Sequence, residues 1–339
     1  MMQRRGILTA GTWCADHNKV VTHWPGENGL AEILSETVRG GGSACNLALA
    51  IRRLDEAFPV ETMGLVGDDA DGRMLLETTL SEGLGGTGLT VLPSVRTAYT
   101  DAFAIKSTGR RVHLFHPGAA ALLEPRHFSF DGTSARILHL GLPGLHAKMD
   151  AQRPDGSNGW SSVLEAARRS GLETSLELVS VDVVRLRSFV APCLPLLDYL
   201  IVNDYEVCAL SSSPAPSPTD VDHGRILDAV EEVLERGSMR LVVAHFPTGA
   251  VYATRDGSIG TVPSVAVPAE RIAGTNGAGD AFAAGALYGL HEEWSPAAAI
   301  RLGHAAAAMS CLQVSTTDGL MDVESCLAHA DGFRWRASI

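Results

Sequence analysis

Hydrophobic and polar positions fall into two recurring patterns along this chain. Short apolar runs ending in glycine or a polar residue occupy 6–11, 60–66, 136–141, 174–179, 199–203 and 240–246. Longer segments of helical period begin near Ser43, Gly72, Trp160, Asp220, Gly277 and Pro296. The alternation of the two predicts βα units around a mainly parallel sheet, in one α/β domain covering 1–339. Ser295 and Pro296 suit the cap and first position of the last helix, where the missing proline N–H costs nothing. Two stretches break the rhythm: 17–40, and 91–118, in which residues 102–114 alternate apolar with polar as antiparallel strands do. They predict a small β-sheet beside the main one. Residues 211–219, SSSPAPSPT, read as a loop, and no internal repeat is visible.

Composition narrows the function classes. Of 339 residues, 45% are hydrophobic and 19% charged, which supplies a large core and excludes disorder for most of the chain. Lysine and arginine number 27 against 39 acidic residues, a net charge of −12, and the pairs Arg4-Arg5, Arg52-Arg53, Arg110-Arg111 and Arg168-Arg169 are scattered rather than striped. Such a surface predicts no nucleic-acid partner, although a local basic pocket still leaves room for an anionic substrate. Cys14, Cys45, Cys193, Cys208, Cys311 and Cys326 stand singly and read as reduced core thiols. No stretch approaches the ~20 apolar residues that span a bilayer, and the N-terminal apolar run is short and broken by glycines. A cytoplasmic chain with no membrane partner is therefore expected.

Candidate chemistry concentrates in GTNGAGDAFAAGALYG, residues 274–289, where a Gly-Ala-Gly turn leads into an alanine-rich helix. The N–H groups of Gly277, Ala278 and Gly279 would point outward beside the positive end of the helix dipole, forming an anion hole. Asp280, in the first turn, is placed to take the proton of a hydroxyl attacking a γ-phosphorus. A plain helix cap is the other reading of the same residues. By contrast GLGGTG, residues 83–88, has neither a preceding strand nor a following helix, so it predicts no dinucleotide site.

The segment at 274–280 resembles the D-T-x-G-A-G-D signature of the ribokinase-like sugar kinases, the phosphofructokinase B type family. Other elements resemble that family in the same order. In GTWCADH at 11–17, the resemblance implies that Asp16 accepts hydrogen bonds from substrate hydroxyls. In GGGSACNLA at 40–48, it implies that Gly41 and Gly42 bring backbone against a sugar and that Asn46 binds it. Leu47, Ile51 and Leu54 share a helix face directed at the core, and Asn46 lies off it. The segment 64–72, GLVGDDADG, is read as a strand end, a turn and a helix start. At 203–206, NDYE resembles the N-x-x-E element, implying a role for Asn203 and Glu206 around phosphate, with Glu206 contributing to Mg²⁺.

Departures from the family cluster around nucleotide and cation. Gly274 stands in place of the first aspartate, which puts activation by K⁺ in doubt. After the strand at 240–246 only Gly249 remains as a nucleotide-contact glycine, while Phe246 either crowds the site or stacks on a ring. His304 resembles an adenine-pocket residue, with a buried structural histidine as the alternative. Gly118-Ala119-Ala120 lacks the asparagine of the family's G-A-N element. What the resemblance implies, taken together, is a ribokinase-like fold, a lid built from 17–40 and 91–118, and ATP-dependent phosphorylation of a sugar or sugar-like hydroxyl with Mg²⁺. Two rival readings remain. One is a nucleoside acceptor stacked on Trp24 or Phe103, and the other a non-catalytic sugar-binding or regulatory protein. A homodimer formed through the lid is a further expectation by resemblance.

Overall fold

The computed structural model describes residues 4–84, 88–108, 110–214, 222–313 and 315–337. The strands of its two larger sheets, numbered in chain order, are β1 (Ile7–Gly11), β2 (Cys14–Val21), β3 (Ile33–Gly41), β4 (Val60–Gly67), β5 (Leu89–Leu92), β6 (Tyr99–Ile105) and β7 (Arg111–His116). They continue with β8 (Ile137–Gly141), β9 (Glu173–Leu176), β10 (Tyr199–Asn203), β11 (Leu241–Phe246), β12 (Gly249–Thr254) and β13 (Ile259–Pro263). The main sheet has the order β13-β12-β11-β10-β9-β8-β1-β4-β5. Its pairings are parallel from β11 through to β5, and β12 and β13 add an antiparallel meander at one edge.

The apolar runs work as strands because successive side chains feed opposite cores. Ile7, Ile137, Ile201 and Val243 belong to one buried cluster, and their neighbours Leu8, Leu138, Leu200 and Val242 to the other. The first cluster lies against α1 (Ser43–Leu54), where Leu47, Ile51 and Leu54 are buried as their spacing predicts. Next come α2 (Ala70–Ser81) and the short α3 (Ala147–Asp150), and then α4 (Gly159–Arg169), α5 (Val183–Val190), α6 (Asp204–Leu210) and α7 (His223–Arg236), whose buried residues supply the second cluster. The helices α8 (Ala278–His291), α9 (Pro296–Ser310) and α10 (Val323–Gly332) return to the first. Helices thus cover both faces of a mostly parallel sheet, as the alternation of apolar runs and helical segments predicts.

A separate sheet of order β3-β2-β6-β7 stands beside the main one. The β2–β3 and β6–β7 pairs are antiparallel, as the alternation in 102–114 predicts, but β2 and β6 run parallel. Both leave the same end of the main sheet, β2 just after β1 and β6 soon after β5, so they point outward in the same sense. Val91 is not in this small sheet: it lies in β5, paired with Val66 of the main sheet. Elsewhere, α2 starts at Ala70 rather than near Gly72, because Asp69 caps it by accepting from the Gly72 N–H. Similarly, α7 starts at His223 behind an Asp222 cap, and Asp220 lies outside the described residues. Strand β9 stops at Leu176 rather than 179, since the chain there turns out of the sheet and delivers Glu177 to its carboxyl end. Ser295 caps α9 as predicted, and the stretch after Gly83 leads from α2 toward β5, with residues 85–87 outside the description.

Candidate active site

Residues at the carboxyl ends of β1, β8, β9, β10 and β11 face the N-termini of α1 and α8, the place where parallel α/β sheets carry their sites. Helix α8 opens at Gly277, whose φ of 75° is left-handed and which offers no side-chain cap. A Cβ there would lie 2.6 Å from Cβ of Thr316, so both backbone and space require glycine. Of the three amides expected to form the anion hole, that of Ala278 instead donates to the Thr275 carbonyl at 3.3 Å, while those of Gly277 and Gly279 have no protein partner among the described residues, beside the positive end of the helix.

Asp280 follows within the first turn, and Asn46 Nδ2 of α1 donates to its Oδ2 at 2.7 Å. Thr316 Oγ1 in turn donates to Asn46 Oδ1 at 3.2 Å, which fixes the amide. Asn46 is thus turned toward Asp280. Helix α1 also begins without a side-chain cap, at Gly42 with φ 84°, where a Cβ would press on the Thr12 carbonyl. A Cβ on Gly41 would overlap the Asp16 carboxylate, so the glycine pair lets β2 and α1 approach. Asp16, Gly41, Gly42, Asn46 and the 277–280 turn converge on one point. Burial, and then the charge of Asp280, push the Asp16 carboxyl above its ordinary range.

Beneath Asp280 lies a pair that sequence reasoning missed. Glu177, just past β9, is hydrogen-bonded with Asp280, and its Oε2 meets His139 Nε2 of β8 at 2.9 Å. His139 Nδ1 lies 3.2 Å from Ser175 Oγ. Burial, and then the Glu177 charge, raise Asp280 well above the carboxylate range, while the Asn46 hydrogen bond pulls the other way. Burial raises Glu177 as well and lowers His139 to about 4, so the imidazole is neutral at ordinary pH. The missed signal is a titratable side chain inside each of two apolar runs, His139 in 136–141 and Glu177 in 174–179.

Asn203 and Glu206 form a reciprocal capping box at the start of α6: Asn203 Oδ1 accepts from the Glu206 N–H, and Glu206 Oε2 from the Asn203 N–H. Ser180 Oγ donates to Glu206 Oε1 at 3.0 Å, so both carboxylate oxygens already have donors, and burial raises this group too. Among the described residues no cluster of three histidine, cysteine or acidic side chains can hold a metal ion. Gly249 is buried at the start of β12, opposite Phe246 and Pro263. Phe246 does not enter the site; it packs in the second core and stacks on His223 at 5.0 Å. Alternation turns its neighbour His245 the other way, 3.9 Å from where a Cβ of Gly279 would lie and 4.6 Å from the Phe282 ring. His304 is buried edge-on to Phe282 at 4.9 Å. Trp24 and Phe103 meet each other at 5.5 Å, with Phe103 on the face of the small sheet opposite Asp16.

A carboxylate held beside an uncapped helix N-terminus can take a proton from an alcohol while the helix amides receive an anionic group. The sequence pattern of the pfkB family carbohydrate kinases matches residues 7–322, and the chain belongs to that family of kinases. It is 27% identical over 288 residues to an adenosine kinase of Schizosaccharomyces pombe, covering 82% of this chain and 80% of that one. Against an ATP-dependent ribose-1-phosphate kinase of Halopiger xanaduensis it is 29% identical over 283 residues, 82% of each chain. Its fold is similar to that of Arabidopsis thaliana ribokinase, solved with ribose and ATP, at a TM-score of 0.79, 20% identity and coverage of 96% and 99% of the two chains. Among the described residues no helix is long and apolar enough to cross a membrane.

Proposed function

We propose that this kinase moves the γ-phosphoryl group of MgATP to a hydroxyl of a sugar or sugar-like acceptor, with Asp280 as the base. The observation that carries this reading is Asp280 itself, held by Asn46 beside the uncapped start of α8 and raised by its surroundings. A carboxyl raised above its ordinary range grips a proton more firmly than a free one, which suits it to an alcohol donor. The Gly277, Ala278 and Gly279 amides then receive the transferring group, and Asp16, Gly41, Gly42 and Asn46 orient the acceptor. We assign Asn203, Glu206 and Gly249 to the nucleotide side, and His304 to shaping that side from beneath Phe282.

Mg²⁺ bound with the nucleotide would neutralise phosphate charge, and Asn203 and Glu206 at the start of α6 would hold it through few contacts. Each Glu206 oxygen accepts one hydrogen bond and keeps a second lone pair for the ion or for one of its waters. The small sheet serves as the lid, closing over the acceptor and excluding water that would hydrolyse ATP. Exposed Trp24, Ile33, Leu34, Val38 and Leu114 on that sheet and its adjoining loop support a homodimer through the lid. A cytoplasmic location fits the use of ATP and six free cysteines. The adenosine kinase relative keeps a nucleoside as the second acceptor class. With Trp24 and Phe103 packed on each other, a sugar is favoured.

A coupled assay of ADP release over a panel of sugars and nucleosides tests the reading. Acceptor-dependent ADP formation is expected. Binding of acceptor without ADP formation from any of them would make the protein a non-catalytic sugar-binding relative.

A further inference from the structure

The inward face of the small sheet carries an unexplained pair of charges. Alternation and register put Asp16, Asn18 and Val20 of β2 on one face, with Arg39 and Thr37 of β3, Ala102 and Ala104 of β6, and His113 and Arg111 of β7. A cavity of about 340 Å³ lies under this face, closed by Gln313, Ser315 and Asp318 from the loop after α9. Arg39 and Arg111 both line it, although they stand on the two opposite edge strands of the sheet. The Arg111 guanidinium reaches across to Gly274, three residues before the anion hole, and occupies the space a side chain there would need.

Neither guanidinium pairs with a carboxylate among the described residues, in a chain with 39 acidic side chains against 27 basic ones. Lys19, at the edge of the same cavity, behaves differently: it is paired with Asp101 and Glu36. The one acidic side chain lining the cavity, Asp318, is exposed. Two unpaired arginines converging on one small cavity leave an excess of positive charge there, and guanidinium forks fit the oxygens of phosphate. A neutral polyol gives them nothing to neutralise.

Resting on the kinase reading above, we propose that the acceptor is anionic: a sugar already carrying a phosphoester, gripped by Arg39 and Arg111 while its free hydroxyl meets Asp280. The acceptor hydroxyl attacks the γ-phosphorus, its proton passes to Asp280, ADP leaves, and the existing phosphoester is untouched. The product is a bisphosphate, so the reaction that consumes it acts on a doubly phosphorylated sugar, and the one that supplies the substrate makes a monophosphate.

Initial rates with matched pairs, fructose against fructose 6-phosphate and ribose against ribose 1-phosphate, test this. For at least one pair kcat/KM should favour the phosphorylated member by about 100-fold or more, the scale of discrimination by paired charged hydrogen bonds. In R39Q and R111Q that ratio should fall toward one, with the KM for ATP moving less than about twofold. Wild-type turnover of a neutral sugar at a rate equal to or above its phosphate overturns the proposal. So does a rise in the KM for ATP as large as that for the phosphorylated acceptor, because the arginines would then serve the nucleotide. No ADP from any acceptor would instead sink the kinase reading itself.

Discussion

Asp280 sits between two neighbours that act on it in opposite directions, and the opposition gives separable tests. D280N should keep the fold and lower turnover by about 10²-fold or more, the scale of general-base catalysis, measured by initial rates at saturating substrate. Glu177 holds the Asp280 proton on and Asn46 helps it off. The acid limb of the kcat/KM profile should therefore move to lower pH in E177Q and to higher pH in N46A. Movement of both in the same direction would mean that neither group acts through Asp280. The raised carboxyl also has a cost to stability. The unfolded chain releases this proton near pH 4, about the ordinary aspartate value, while the folded chain holds it until the raised value is passed. Over that window the folded state binds more protons, so stability falls as pH rises. Thermal melts should show D280N more stable than wild type at about pH 8, with the gain disappearing below about pH 4.

At the scale of elements, helix starts matter most. Gly277 combines a left-handed φ with a Thr316 contact that leaves no room for a Cβ. G277A should cost about 1–2 kcal/mol for the backbone alone, read as a lowered melting temperature. It should also cut kcat by about tenfold or more, by displacing the amides proposed to receive the phosphoryl group. Wild-type kcat in a destabilised G277A would take those amides out of the chemistry. The helix start was legible because glycine, a small residue and an acid at those spacings have few other uses. The ends of β9 and α7 were less legible: Leu178 remains buried after leaving the sheet, so hydrophobicity alone did not mark where pairing stops. The parallel β2–β6 pairing was hidden for another reason, since alternation marks strands with one solvated face and does not say which distant strand lies beside which.

At the scale of the whole molecule, what the sequence left dark are the contacts between segments far apart in the chain. Glu177 and His139 come from different βα units, and only the sheet order brings them beneath Asp280. Arg111 stands in the small sheet and Gly274 in the loop before α8, 163 positions on, yet one fills space the other leaves. This meeting bears on the cation. With glycine at 274 the region loses a carboxylate that would hold a hard ion, and the guanidinium beside it adds a fixed positive charge that repels one. Backbone carbonyls can still bind K⁺ in other settings, so the lost ligand by itself does not decide the matter; the added charge does. Rates at fixed MgATP and ionic strength, with K⁺ replaced by a large organic cation, should therefore change by less than about twofold. In R111Q the repulsion is gone but the carboxylate is still missing, so K⁺ should remain without effect. In the double variant G274D/R111Q a carboxylate meets no guanidinium, and stimulation by K⁺ should appear. A severalfold loss on removing K⁺ from the wild-type enzyme would mean that other groups hold the ion and that Arg111 does not keep it out.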